Sequence, residues 1–247
     1  MARRRWLDPV VQIALFFGAY YAYRLVRGVV DGHAGTAFEN ARHLIGIERS
    51  LGLFFEPGLQ DWTERHHLIM DACNWMYVNS HFALTTAFLI WLYAKRNEAF
   101  CFVRNMFMVS MGIALVGYIA FPTAPPRFMP EWGFTDSVTN AVGEGAAKGA
   151  SLLYNPYAAV PSMHVAFALM IAVPAVILVR SGPLRVLWGL YPVAVTFTVV
   201  ATANHWWLDA ALGVLTAALS ALAAKEILER ARPGVWSFRR PTAGAAA

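Results

Sequence analysis

Long apolar segments alternate with short polar connections along almost the whole chain. The apolar segments are Pro9–Val30, Leu68–Tyr93, Phe100–Phe121, Val165–Val179, Val186–Ala203 and Trp206–Ala224. An α-helix needs about 20 residues, and at least about 17, to cross the hydrocarbon core of a bilayer. The fourth segment falls short, so its helix is expected to begin near Pro161, with the proline at its start. This pattern predicts an all-α polytopic membrane protein, with a six-transmembrane-helix bundle formed by residues 9–225.

The composition agrees with a membrane protein. Hydrophobic residues make up 58% of the 247 residues and charged residues only 14%, whereas an average soluble domain carries about 25% charged residues. The two cysteines, Cys73 and Cys101, lack the spacing of a zinc site or a disulfide framework. No block of Lys and Arg with interleaved aromatics indicates a nucleic-acid partner. We therefore expect lipids, not nucleic acids, as partners.

The basic residues predict the orientation of the chain. If the six segments alternate, 13 of the 20 Lys and Arg residues fall on one side and seven on the other. The positive-inside rule then places residues 1–8 and the partly disordered tail 226–247 in the cytoplasm. The loops 31–67 and 122–162 face outward. An alternative for the start is a signal peptide cleaved near Gly35–Ala37, but the aromatics and arginines at the end of the first segment favour a retained span.

The first outer loop mixes apolar and charged residues at roughly helical spacing. Its residues 41–62 read ARHLIGIERSLGLFFEPGLQDW. A helix with one apolar and one charged face can lie in the plane of the membrane interface. We therefore expect an interfacial amphipathic segment in this loop.

Three polar clusters interrupt the apolar pattern, and the predicted topology places all three at the outer boundary. They are FPTAPPR (Phe121–Arg127), VPSMH (Val160–His164) and NHWWLD (Asn204–Asp209). Each has a purely structural interpretation, such as a snorkelling arginine, a helix cap, an i, i+4 pair or an aromatic belt of Trp206 and Trp207. Because ionisable residues at membrane depth usually mark function, three clusters at one depth favour an active site.

The residue types in these clusters suit chemistry on a phosphate group. Asp209 can accept a hydrogen bond from one ring nitrogen of His205, which leaves the other nitrogen free as a base or nucleophile. His164, on another span, can donate a proton to a leaving group. Arg127 offers a planar fork that matches phosphate oxygens, and Ser162 lies at a helix N-terminus, which favours anions.

One further interpretation of this set remains open. Ser162, His205 and Asp209 could form a serine-hydrolase triad, although no GxSxG motif surrounds the serine. No carboxylate cluster suited to magnesium lies nearby, so we expect no metal and no cofactor.

The second apolar segment carries a mainly polar stripe at helical spacing, formed by Asp71, Asn74, Val78, His81 and Thr85. Such a stripe either hydrogen-bonds to neighbouring helices or lines a headgroup pocket below the catalytic residues. We expect His81 to lie mid-membrane, too deep to be a third catalytic histidine. The candidate substrate pocket comprises Asp71, Asn74, His81, Asn204 and Tyr157.

The three clusters together resemble the type-2 phosphatidic acid phosphatase superfamily. PSMH is similar to its second signature and HWWLD to its third, while FPTAPPR with NPYAAVPSMH resembles the inositol phosphorylceramide synthase-like branch and its bacterial relatives. The resemblance implies that His205 attacks phosphorus and forms a phosphohistidine, that Asp209 orients it, and that His164 protonates the leaving oxygen. Arg127 corresponds to the phosphate-holding arginine of the first signature.

This chain departs from the superfamily pattern at three positions. Ala120 and Val199 replace a lysine and an arginine of the ordinary phosphatases, and Met163 replaces the glycine of the second signature. A site with fewer cations should hold a doubly charged phosphate monoester less well, which favours a phosphodiester or phospho-headgroup substrate.

The resemblance implies a metal-independent lipid phosphatase or inositolphospho-type headgroup transferase. Its active site would face outward from the bacterial plasma membrane, and a lipid alcohol could serve as acceptor. The alternative function is that of a non-catalytic phospholipid carrier or scaffold that keeps the cavity.

Overall fold

The computed structural model describes residues 9–15, 17–18, 20–21, 34–142 and 157–228. The described residues are helical apart from the connecting loops, and none of them forms a β-strand. The predicted all-α class is therefore confirmed. The predicted N-terminus 1–8, most of the tail 226–247 and the middle of the second outer loop lie outside the described residues.

The helical elements follow one another with short connections. From residue 34 onward the α-helices are α1 (Ala34–Ser50), α2 (Glu56–Arg65), α3 (His67–Trp75), α4 (His81–Lys95), α5 (Asn97–Ala120), α6 (Ser137–Val142), α7 (Met163–Leu178), α8 (Gly182–Ala201) and α9 (Trp207–Ala223). Residues 9–15, 17–18 and 20–21 are also helical. A π-helical turn, Met76–Ser80, joins α3 to α4, and a second, Ala224–Leu228, follows α9.

Among the residues that the structure describes, three helices are long and apolar enough to cross a membrane, namely Ala99–Ala120, Gly182–Ala201 and Trp207–Ile227. The helix α7 is apolar but has only 16 residues. Large apolar side chains such as Leu187 and Val193 on α8 are exposed, as lipid-facing residues would be. These features fit an integral membrane protein. The full count of six spans stays a prediction.

The helix α7 occupies the centre of the bundle and contacts α4, α5, α8 and α9. Small buried residues such as Ala166, Ala168 and Ala175 line it, which allows neighbouring helices to approach closely. The helix begins at Met163 with Ser162 at the N-cap, two residues after the predicted start at Pro161. The helix at the centre of the bundle thus carries the second polar cluster at its N-terminal end.

The first outer loop folds into α1 and α2. Buried residues on α1 recur at spacings of three and four, at Ala37, Ala41, Leu44, Ile45 and Glu48, so one face of this helix is buried. Its buried face packs against residues of the three polar clusters, including Ala124, Val160 and Trp206. The segment thus covers the end of the bundle that carries these clusters. Its contact with the membrane interface stays a prediction.

Candidate active site

His164, His205 and Asp209 form a hydrogen-bonded row at the end of the bundle that α1 and α2 cover. The Nδ1 atom of His205 lies 3.2 Å from Oδ2 of Asp209, and Nε2 of His205 lies 3.3 Å from Nδ1 of His164. Asp209 is completely buried. The carboxylate therefore accepts the Nδ1 proton of His205, which leaves the Nε2 lone pair directed toward His164. The predicted catalytic residues are thus brought together.

The turn between α8 and α9 sets the position of His205. The backbone N–H groups of Asn204 and His205 both donate to the carbonyl of Val199, at 3.0 Å each. Ala203 has a φ of 52°, a left-handed conformation that costs about 1 kcal/mol or more for a residue with a side chain. Its carbonyl accepts the N–H of Arg127 at 2.8 Å. A strained turn fixed by long-range hydrogen bonds therefore presents the histidine.

The expectation that Trp206 anchors α9 in the membrane interface is wrong. Its side chain is completely buried, with Nε1 donating to the carbonyl of Ala124 at 3.0 Å and the ring edge-on to Phe134. Tertiary packing against the first polar cluster replaces contact with lipid headgroups. Trp206 therefore holds the start of α9 within the protein.

Two glycines allow the Pro161–Ser162 corner to sit between α5 and α9. A Cβ atom added to Gly213 would lie 2.4 Å from the Ser162 carbonyl oxygen, and one added to Gly117 would lie 2.8 Å from Cδ of Pro161. The N–H of Ser162 donates to the carbonyl of Asp209 at 3.0 Å. The start of α7 is therefore fixed against the first turn of α9, which sets His164 opposite His205.

The side chain of Ser162 is buried, and its Oγ has no hydrogen-bond partner. It lies at the N-cap of α7 without bonding to the helix, where the first N–H groups of the helix lack intrahelical acceptors. This position is suited to an anion. Phosphate binding by Ser162 stays a prediction.

Arg127 is fixed beside His205 through Asn204, the residue that precedes the histidine. The Nη1 group donates to Oδ1 of Asn204, the Nε atom lies 3.7 Å from Oδ2 of Asp136, and the guanidinium lies over the ring of Phe128. Only 10% of the side chain is exposed. The predicted pocket residue Asn204 therefore positions the predicted phosphate-binding arginine.

The other predicted pocket residues have mixed locations. Tyr157 packs edge-on against Phe38 and Phe128, next to Arg127. Asn74 is buried and accepts a 3.0 Å hydrogen bond from Ser137 on α6, which is a structural contact. Asp71 is exposed and is not brought to the cluster by any contact that the structure shows.

His81 lies in direct contact with the ring of His164, which the sequence did not predict. Its ring centroid is 4.5 Å from that of His164, and it stacks on Phe167 at 5.2 Å. The π-helical turn that ends at Ser80 shifts the register of the helix at this point, an irregularity that apolar periodicity does not reveal. His81 therefore reaches His164 directly, and its mid-membrane depth stays a prediction. Tyr77, in the same turn, stacks on the ring of His164, with the ring centroids 4.7 Å apart.

Sequence reasoning missed two residues behind the site. Glu48 and Glu56 are completely buried, and both accept hydrogen bonds from the N-terminus of α9. The sequence offered little signal for them, because they lie in a loop that mixes apolar and charged residues. Among the residues that the structure describes, no group of three or more His, Cys, Asp or Glu side chains is arranged to hold a metal ion.

Comparison with known families decides the assignment. The family model of the PAP2 superfamily matches residues 42–223, which include all three polar clusters. The chain belongs to the PAP2 superfamily. Neither the curated proteins nor the solved structures contain a match.

Membership in the PAP2 superfamily confirms the predicted resemblance at the superfamily level and suggests a phosphatase-type activity. The narrower branch is a prediction.

Within the described residues, Val199 lies in the buried core directly beneath His205, and Ala120 is exposed at the end of α5. The two residues that replace cations of the ordinary phosphatases therefore differ in burial.

Proposed function

We propose that this PAP2 protein is a metal-independent enzyme that transfers a lipid-linked phosphate or phospho-headgroup through a phosphohistidine on His205. The observation that supports it best is the row from Asp209 through His205 to His164, with contacts of 3.2 Å and 3.3 Å. A carboxylate, a nucleophile and an acid in one row are the parts that covalent phosphoryl transfer needs.

In the first step, Nε2 of His205 attacks phosphorus, and the bond from phosphorus to the leaving oxygen breaks. His164, protonated at the start, gives its proton to that oxygen. Asp209 stabilises the positive charge that develops on the His205 ring. Arg127 and the first N–H groups of α7 hold the remaining phosphate oxygens. The phosphate must separate the two rings, because they contact each other in the unliganded structure.

In the second step, water or a lipid alcohol attacks the phosphohistidine. The neutral His164 takes the proton of the attacking hydroxyl, and the bond from phosphorus to Nε2 breaks. Both histidines thereby return to their starting states. Water gives hydrolysis, and an alcohol gives headgroup transfer.

A phosphodiester lipid fits the charges of the site better than a phosphate monoester. Arg127 already interacts with Asp136 at 3.7 Å, and two cations of the ordinary phosphatases are replaced by Ala120 and Val199. A diester carries one negative charge, so it needs fewer cations than a doubly charged monoester. We therefore propose headgroup transfer of the inositolphospho type as the principal reaction.

The proposed setting is a six-span bundle in a bacterial plasma membrane, with both termini cytoplasmic and the site outside. The distribution of basic residues supports this orientation, as do the outer helices that cover the site. Reporter fusions at Arg96 and Arg180 should read cytoplasmic, and one at Gly133 external. An external signal at Arg180 would contradict this topology.

The reaction can be tested with purified protein and a phospholipid labelled at phosphorus, with and without a diacylglycerol- or ceramide-type alcohol. We expect labelled product that depends on the acceptor and is lost in His205→Ala. Release of labelled phospho-headgroup or inorganic phosphate without an acceptor would contradict transfer. Turnover that survives His205→Ala would contradict the covalent mechanism.

A further inference from the structure

Two buried carboxyl groups from the outer helices meet at the N-terminus of the helix that carries Asp209. Oε1 of Glu56, at the start of α2, accepts the N–H of Trp207 at 3.2 Å. Oε1 of Glu48, near the end of α1, accepts the N–H of Leu208 at 3.3 Å. These are the first two N–H groups of α9, and they have no acceptor within the helix. The side chain of Trp206, at the N-cap, makes no hydrogen bond to the helix, so the two acids serve as the cap.

The second oxygen of each carboxyl group is buried and receives no N–H donor. The two side chains interact directly with each other. Two carboxylates in such a place would repel each other, and a proton held between them relieves this repulsion. Burial, followed by the charge and hydrogen bond of Glu56, raises the pKa of Glu48 to about 9. Burial also raises the pKa of Glu56.

The pair lies directly behind the catalytic carboxylate. Asp209 is the next residue after Leu208, and it interacts electrostatically with both acids. The ionisable groups around the pair are therefore Asp209 and, beyond it, His205. Trp207 and Leu208 connect the capped turn to Asp209, so their position sets the direction of the Asp209 carboxylate toward His205.

We propose that Glu48 and Glu56 are positioning residues that share one proton and fix the first turn of α9, so that Asp209 aims His205 at phosphorus. This inference rests on the proposed function. One proton removes the repulsion, while the remaining negative charge favours the N-terminus of the helix. The pair also couples α1 and α2, which cover the site, to the helix that performs the chemistry.

The variants Glu48→Gln, Glu48→Ala and Glu56→Ala test the catalytic part, with exposed Glu39→Gln on α1 as the matched control. The glutamine keeps an oxygen acceptor for Leu208 and offers an N–H to Glu56 in place of the shared proton, so its turnover should match wild type. Each alanine variant should lower kcat about 10- to 100-fold with little change in KM, because small misplacements of a catalytic group have effects of this size. Unchanged kcat in both alanine variants would overturn the inference.

Stability against pH tests the shared proton separately from activity. Glu48 has a folded pKa of about 9, above its ordinary value, so its protonated form stabilises the fold at low pH and this stabilisation is lost as pH rises toward about 9. The melting temperature of wild type should therefore fall between about pH 5 and pH 9, and Glu48→Gln should flatten this fall while Glu39→Gln should not. Parallel curves for wild type and Glu48→Gln would overturn the shared proton.

The two experiments, on the activity of the variants and on stability against pH, distinguish this inference from the proposed function. If His205→Ala keeps turnover, the proposed function fails, and with it the catalytic role of the pair, while the pH curves still decide whether a proton is shared. If His205→Ala is inactive and the alanine variants at Glu48 and Glu56 keep full kcat, only the positioning role fails.

Discussion

The two histidines of the site have contrasting surroundings. His205 is buried, and its Nδ1 atom is hydrogen-bonded to a completely buried carboxylate. His164 contacts the rings of Tyr77 and His81, at 4.7 Å and 4.5 Å. A nucleophile benefits from one fixed tautomer, whereas an acid must gain and lose a proton in each cycle. The contrast supports the proposed roles, with His205 as the nucleophile and His164 as the acid.

The largest expected effect concerns the carboxylate that distinguishes the two histidines. Asp209→Asn can present an N–H to Nδ1 of His205, which favours the tautomer with a protonated Nε2. We expect kcat to fall by about 10³- to 10⁴-fold, as for a catalytic triad with its carboxylate replaced. Steady-state assays on the labelled lipid measure this, with the melting temperature as a check on folding. A variant that folds and keeps wild-type kcat would show that the carboxylate does not orient the nucleophile.

His164→Ala tests the other half of the comparison. A lipid alkoxide leaving group needs a proton, so we expect a loss of about 10²- to 10³-fold with phospholipid. A p-nitrophenyl phosphodiester has a good leaving group that needs little protonation, and its first step should be much less affected. Equal losses in the rate of the first step with both substrates, measured as the burst of released alcohol or p-nitrophenol, would contradict the role of His164 as the acid.

The corner that holds the two histidines opposite each other should be sensitive to one methyl group. Gly213→Ala places Cβ 2.4 Å from the Ser162 carbonyl oxygen, and overpacking of this kind costs about 1–3 kcal/mol. Gly112→Ala on α5 is the matched control, because nothing lies within 4 Å of its added Cβ. Thermal unfolding in detergent should show a lower melting temperature for Gly213→Ala alone. Equal stability of both variants would mean that the corner can relax.

The smallest expected effect concerns the charge available to phosphate. Asp136→Asn removes the carboxylate 3.7 Å from Nε of Arg127 and should lower KM by about two- to fivefold, since partly exposed ion pairs contribute about 0.2–1 kcal/mol. Asp61→Asn, which removes the exposed pair with Arg65 on α2, should leave KM unchanged. A higher KM in Asp136→Asn would show that Asp136 helps to hold Arg127 in place.

The sequence predicted what depends on local spacing. His205 and Asp209 lie four apart and meet on one helix face, as i, i+4 residues do. The three polar clusters converge as their shared membrane depth indicated. The superfamily assignment followed from the same residues.

Contacts between distant elements were beyond the reach of that reasoning. The ring contact of His81 with His164 depends on a π-helical turn, and the burial of Trp206 depends on the loop at Ala124. Glu48 and Glu56 acquire their roles only because α1 and α2 fold over the start of α9. None of these contacts leaves a periodic pattern in the chain.

Trapping of the covalent intermediate tests the central claim most directly. Protein quenched during turnover of phosphorus-labelled lipid should carry a base-stable, acid-labile label that peptide mapping places on His205. His205→Ala should carry none, and His164→Ala should still accumulate label from the p-nitrophenyl phosphodiester. A label on Ser162 or on another residue, or turnover of wild type without any labelled protein, would contradict the account.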